Sequence, residues 1–409
     1  MSEKTAPKLP ISLPYCVNIF SADDTGCDWY RNQMPMNTIM HGVGDITFNN
    51  CRKFMTDINF FRGVNLNVLQ RQVSDAQCEY YLKFIIPMSK QCGSWIVYNV
   101  DDCLHKDDIP KYNKAWETYQ NDGYMDNIKR MVQASDFLLV TTDELGEYYR
   151  DKFGASEDSL IVIPNYIPYW WMGQCWNFER KMREYEEFVV KRGRPRIGII
   201  GAPSHYDING KKIKNDITAL LPYISKTIKD YQWVIFGSII PELFDYVRSG
   251  EIEYHQGVDI LHYPKRLSDL RLQYVVAPLV DNTFNRCKSS IKLTECWASG
   301  IGCAAQDLPC YSKYTEDVFS DNDALDAILK RDLASSEVYA KKISENFRKM
   351  DDWWLESHLH DWSELYHLRQ KPLIYNYDYA MSKERAGNAR QPKLRDDEVV
   401  MPAIKKEIA

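Results

Sequence analysis

The stretch Phe284–Gly300, FNRCKSSIKLTECWASG, places Lys288 and Lys292 four residues apart, with Ser289 and Ser290 between them and Glu295 one turn further on. It follows the apolar run YVVAPLV (274–280), which reads as a buried parallel strand. The spacing predicts a strand-to-helix turn. A helix start offers unpaired N–H groups and about half a positive charge, and both favour a phosphate. The serines would supply hydroxyls and close backbone approach, and the lysines charge against a diphosphate. Glu295 stands where a carboxylate accepts both hydroxyls of a ribose. The same residues also suit a solvated helix start with an i,i+3 Lys292–Glu295 pair, and spacing alone does not separate the two.

Two further clusters are acidic. SADDTGCDWYRNQMP (21–35) follows a strand and carries Asp23, Asp24, Gly26, Tyr30 and Arg31. Asp24 is a candidate base for an attacking hydroxyl, and Tyr30 and Arg31 candidate contacts to donor phosphate or acceptor charge. An acidic N-cap of an ordinary helix explains the aspartates equally well. NVDDCLHKDDIP (99–110) ends another strand, where Asp101 and Asp102 would orient a hydroxyl or serve as base. His105 reads as a loop histidine. His205, beside Ser204, is the better candidate for a phosphate or sugar contact.

These residues need elements to hold them. Candidate strands are 15–20, 95–102, 137–142 and 160–165, then 196–202, 233–238, 274–280 and 302–306. Apolar runs separated by helical stretches predict parallel sheets covered on both faces. They fall into two groups, so the expected class is α/β with two doubly wound, Rossmann-like domains facing across a cleft. The expected boundaries are a first, acceptor-side domain over 1–175, a linker over 176–195 and a donor domain over 196–334. C-terminal helices follow over 335–370, and an extended tail over 371–409. The 409 residues suffice for two cores. No apolar run approaches the length of a membrane span, the N-terminus lacks a signal-peptide layout, and eleven cysteines stand without a CxxC pair. A cytoplasmic protein with reduced thiols is expected, a monomer or weak oligomer without membrane contact.

The string KLTECWASGIGCAA resembles the E-A-x-A-x-G-x-P-V-V segment of GT-B glycosyltransferases of the group 1, family 4-like kind. GAPSHYD (201–207), opening with Gly201, resembles the G-S-x-x-H-x-x-D loop that begins their donor domain. VTTDELGEYYRDKFG with IVIPNYI resembles the passage closing their first domain, and APLVDNTFNRCKSSIKLTE a branch form of the donor motif. Together these span about 95 to 310. The resemblance implies a nucleotide-diphosphate-sugar donor, a uridine diphosphate sugar by expectation, with no metal required. It assigns Glu295 to the ribose, and Ser289, Ser290, Ile291 and Lys292 to the diphosphate turn. It also implies a C-terminal helix crossing back to the first domain. One departure stands out: where many members carry an acid touching the donor sugar, this chain has Cys287, so Asn285, Arg286 or Lys288 makes that contact or the sugar differs.

Strings like D-x-x-G-C-x-x-Y-R open phage-encoded glycosyltransferases of this branch, some of which attach glucose or arabinose to hydroxymethylcytosine in DNA. The segment CRKFMTDINFFRGVNLNVLQRQ (51–72) carries Arg52, Lys53, Arg62 and Arg71 among Phe54, Phe60 and Phe61, a composition that suits nucleic acid. A helix and loop with core phenylalanines reads equally well, and the basic tail 382–395 would add a flexible contact. The expected acceptor is therefore hydroxymethylated DNA. Competing expectations are a surface polysaccharide or other saccharide acceptor, and an inactive sugar-nucleotide-binding protein.

Overall fold

The computed structural model of the chain describes residues 15–42, 45–51, 57–207 and 213–371. The first sheet contains β1 (Tyr15–Phe20), β2 (Ile46–Asn50), β3 (Leu66–Gln70), β4 (Trp95–Asn99), β5 (Phe137–Val140) and β6 (Leu160–Val162), in spatial order β2-β1-β3-β4-β5-β6. The second contains β7 (Arg196–Gly201), β8 (Gln232–Gly237), β9 (Glu253–Gln256), β10 (Tyr274–Ala277), β11 (Gly302–Gln306) and β12 (Val318–Phe319), in order β12-β11-β10-β7-β8-β9. Every pairing is parallel, for instance Val17 opposite Leu66 and Ile199 opposite Val276. The first order is flavodoxin-like and the second Rossmann-like. In both, the strand order reverses beside the first strand of the sheet. Crevices therefore open at the carboxyl ends of β1 and β3 and of β7 and β10. The loops singled out by their chemistry leave these strand ends.

Strands β2, β3, β9 and β12 lie outside the expected set. All five residues of β3 are buried, yet two are polar. Asn67 is tolerated because its Oδ1 accepts a 2.9 Å hydrogen bond from Asn18 Nδ2 on β1. Of the segment 51–72, residues 57–72 are thus part of the first sheet and its approach. Phe61 sits in the core of the first domain and Phe60 packs against it, so neither is free to stack on a base.

The 176–195 bridge contains the helix Phe178–Tyr185, which packs on the second domain. Tyr185 donates to the Leu333 carbonyl (2.8 Å) and stacks on Tyr339. After helix Ser336–Arg348 the chain crosses back. Ile167 N donates to the Trp353 carbonyl, and Leu355 N donates to that of Ile167. Helix Leu359–Tyr366 then rests on the first domain, with Tyr366 edge-on to Phe48 and His367 Nε2 3.0 Å from Asp45. Its Trp362 is fully buried, a contact that truncation to alanine would cost about 3–5 kcal/mol. One apolar cluster runs from Val17 and Leu66 through Trp171 and Trp354 to Trp297 and Val275, joining the two sheets. The stretch 372–409 lies outside the described residues.

Candidate functional site

Helix Ile291–Ala298 follows the exit of β10, and Gly300 (φ +64°) turns the chain away at its far end. Ser290 is the N-cap but its side chain caps no N–H, so the helix start is left to another partner. Ser289 Oγ accepts from Asn165 Nδ2 of the first domain at 3.2 Å. Glu295, nearly buried, is enclosed by three donors. Tyr30 Oη of the first domain donates to Oε1 (2.7 Å), while Tyr263 Oη (3.0 Å) and Lys292 Nζ (2.9 Å) donate to Oε2. Burial opposes the Lys292 ammonium, but the Glu295 carboxylate outweighs it and holds the lysine pKa well above its ordinary value. Burial and the same carboxylate push the Tyr30 phenol up. All three donors keep their protons, and Glu295 acts as acceptor. The i,i+3 Lys292–Glu295 pair therefore exists, in a buried crevice between domains rather than on a solvated face.

Across the crevice, the carboxyl edge of the first sheet gathers Asp23, Arg71, Asp101 and Asp102. Arg71 follows β3 in the left-handed region (φ +45°), an uncommon conformation for a residue with a side chain. Its guanidinium lies 2.6 Å from Asp23, 3.7 Å from Asp101 and 3.8 Å from Asp102. Lys288 Nζ reaches over from the second domain to within 3.7 Å of Asp102. Burial raises the Asp102 pKa, against the pull of Lys288. Asp101 Oδ1 is buried and accepts no hydrogen bond among the described residues, with only the Arg71 guanidinium 3.7 Å away to balance it. Asp24, one residue beyond Asp23, is exposed to solvent.

A third group joins the domains through a buried carboxylate. Asp216 Oδ1 accepts from Val280 N, Asn285 Nδ2 and, from the first domain, Tyr112 Oη, each at 2.8 Å. Its Oδ2 lies 2.8 Å from His205 Nδ1. Burial, then Lys288, holds the His205 pKa below its ordinary value. Ser204 is half-buried beside it.

The structure thus brings Tyr30, Arg71, Asp101, Asp102, His205, Lys288, Ser289, Ser290, Ile291, Lys292 and Glu295 to facing edges of one crevice. Other candidates sit elsewhere or act otherwise. Arg31 is fully buried: it donates to the carbonyls of Ile163 (2.5 Å) and Val140 (3.4 Å) and to Asn99 and Asn165, beneath Trp362. Burial lowers its pKa to about 10, so it stays charged, but its donors are spent at the ends of β4, β5 and β6. Gly201 is required by packing, since a Cβ there would lie 2.0 Å from Tyr206 Oη. Arg62 is exposed ahead of β3, whereas Arg71 follows it. A five-residue strand separates them by roughly 16 Å along the sheet. Arg52 and Lys53 lie outside the described residues, as does the basic tail segment. His105 faces Asp107 and Asp108 in its own loop. Cys287 is buried with Phe284 in the core of the first domain, Asn285 is buried on Asp216, and exposed Arg286 pairs with Asp281. Of the three residues considered for the missing acid's contact, Lys288 alone faces the crevice. Tyr263, Asp216, Tyr112 and Asn165 had no local signal, because each reaches the site from a distant segment.

No protein-family model matches the sequence, and no curated protein matches it. The fold is shared with solved structures. HepE of Anabaena, in complex with UDP, superposes with a TM-score of 0.57 at 8% identity, covering 86% of this chain and 99% of that one. A glycosyltransferase from Rickettsia africae gives 0.56 at 10% identity, covering 86% and 98%. The apo structure of OtsA gives 0.50 at 9%, covering 86% and 99%. The architecture of two parallel sheets with their crevices facing is the GT-B fold.

Proposed function

We propose that this protein is a glycosyltransferase that moves a sugar from a nucleoside diphosphate, a uridine diphosphate sugar by preference, to a hydroxyl acceptor. The observation that carries this is the uncapped helix start at Ile291, flanked by Lys288 and Lys292, with Glu295 one turn inside. Anion, ribose and a facing set of carboxylates are thereby provided for in one crevice. In support, HepE, which shares the fold, is solved with UDP and with UDP-glucose. Departure of a nucleoside diphosphate builds negative charge on its outer phosphate. Lys288, Lys292 and the helix start are set to offset that charge in a water-poor crevice. Asp101 and Asp102 would receive the acceptor hydroxyl. The residues assigned here need no metal for this step.

We infer a saccharide or similar neutral polyol as acceptor. At the first-domain edge Asp23, Asp101 and Asp102 surround Arg71, a set of carboxylate acceptors that suits the hydroxyl groups of a sugar. The separation of Arg62 from Arg71 favours this acceptor over hydroxymethylated DNA. The test is mass spectrometry of products after incubation with UDP-sugars and a panel of oligosaccharides and hydroxymethylcytosine DNA. Glycosylated oligosaccharide is expected. Sugar on DNA alone would reverse the acceptor assignment, and an unconsumed donor under every condition would refute the enzyme reading.

A further inference from the structure

The buried carboxylate of Asp216 poses a physical question. A buried anion costs several kcal/mol unless paired, and among the described residues its only ion-pair partner is His205. Its Oδ1 already takes three donors, from Val280, Asn285 and Tyr112. Oδ2 is therefore free to hold the imidazole, 2.8 Å away. The contact fixes the proton of a neutral imidazole on Nδ1 and leaves Nε2 as the unprotonated nitrogen. Lys288 and Lys292 both act on the ring electrostatically, and His205 in turn acts on Asp102 across the crevice. Tyr206 completes the surroundings, its ring centroid 6.1 Å from that of His205.

We propose that His205 takes up a proton when the donor's diphosphate binds, with Asp216 as the positioning residue that aims Nε2–H at a phosphate oxygen. This rests on the donor site described above. Without donor, burial and Lys288 keep His205 neutral. A diphosphate drawn in by Lys288 and Lys292 replaces that positive surrounding with a negative one. The imidazolium becomes the favoured form, stabilised from behind by Asp216 through Nδ1–H. The proton comes from the buffer and stays on Nε2, donated in a hydrogen bond, and no bond of the donor breaks. Asp216 then gains the cation that its burial calls for. Tyr112 belongs to the first domain, so the carboxylate reaches its full set of donors only when the two domains meet.

UDP-glucose is the suitable probe, because both phosphates are esterified and neither titrates near neutrality. Isothermal titration calorimetry at pH 7.5, in two buffers of different ionisation enthalpy, counts the protons taken up. The wild type should take up a measurable fraction of a proton per UDP-glucose. Its affinity should fall as pH rises through the His205 pKa of the complex, by at most about tenfold per pH unit for one proton. His205→Gln and Asp216→Asn should bind UDP-glucose without uptake and with a flat pH profile. His205 is partly exposed, so its variant carries the test if the buried Asp216→Asn fails to fold. Binding by the wild type without uptake, or uptake that persists in His205→Gln, would overturn the proposal and leave the donor site standing. Binding of neither UDP-glucose nor UDP would refute the donor site, and the proposal with it.

Discussion

Replacing Tyr30 by phenylalanine should tighten donor binding. Tyr30 Oη occupies Glu295 Oε1 at 2.7 Å, inside a buried crevice, while Tyr263 and Lys292 occupy Oε2. A ribose that gives Glu295 both its hydroxyls needs one more acceptor site than the three donors leave open, and the phenol on Oε1 is the donor expected to give way. A hydrogen bond to a charged group contributes about 1.5–3 kcal/mol net. Not all of that is recovered, because the displaced phenol finds water or another partner. A gain of about 1.4 kcal/mol is a tenfold lower Kd, and roughly that change is expected for UDP in Tyr30→Phe. The free variant should melt below the wild type, since a bond between the domains is gone, and saturating UDP should narrow the gap by mass action. Calorimetry gives Kd and differential scanning fluorimetry the melting shift. A ligand contact by Tyr30 would instead make Tyr30→Phe bind more weakly. An unchanged or raised Kd would refute the displacement reasoning.

Two more substitutions separate roles inside the crevice. Lys292→Ala should lower the rate of UDP-glucose turnover by about 100-fold, in line with losing one preorganised charge from a transition state. Its Kd for UDP-glucose should change by less than tenfold, and a raised Kd with an unchanged turnover rate would make Lys292 a binding residue only. Arg31→Met leaves the Ile163 carbonyl and the Oδ1 atoms of Asn99 and Asn165 without their donor and should cost about 3 kcal/mol in urea unfolding, with UDP affinity unchanged in the folded fraction. A specific loss of UDP binding at full stability would return Arg31 to the phosphate site.

The sequence was most readable where structure is local. Strands β1, β4, β5, β7, β8, β10 and β11 are apolar runs, and their periodicity reports burial directly. Strand β3 was hidden because Asn67 and Gln70 place polar side chains in its buried interior, a choice explained only by Asn18 on the neighbouring strand. Edge strands β2 and β9, ITFNN and EYHQ, bury less and leave a weaker pattern. The same division runs through the site. Lys288, Ser289, Ser290, Lys292 and Glu295 belong to one turn, so their spacing already described a clamp. What closes on that clamp came from afar: Tyr30 lies 265 residues from Glu295, and Tyr112 lies 104 from Asp216. Arg31 shows the reverse failure. A cation at a strand-end helix suggested phosphate, but its helix turns it inward onto strand-end carbonyls. Cys287 shows another: aligned with an acid that touches sugar, it instead seats Phe284 and its own thiol in the first domain.

The central claim is that Glu295 receives the ribose of a nucleoside diphosphate whose phosphates lie at the Ile291 helix start. A crystal structure of the protein with UDP tests it most directly. Glu295 should lie within hydrogen-bond distance of both ribose hydroxyls, with Tyr30 displaced from Oε1 and the phosphates between Lys288, Lys292 and His205. UDP bound elsewhere, or bound with the Tyr30–Glu295 contact intact, would contradict it.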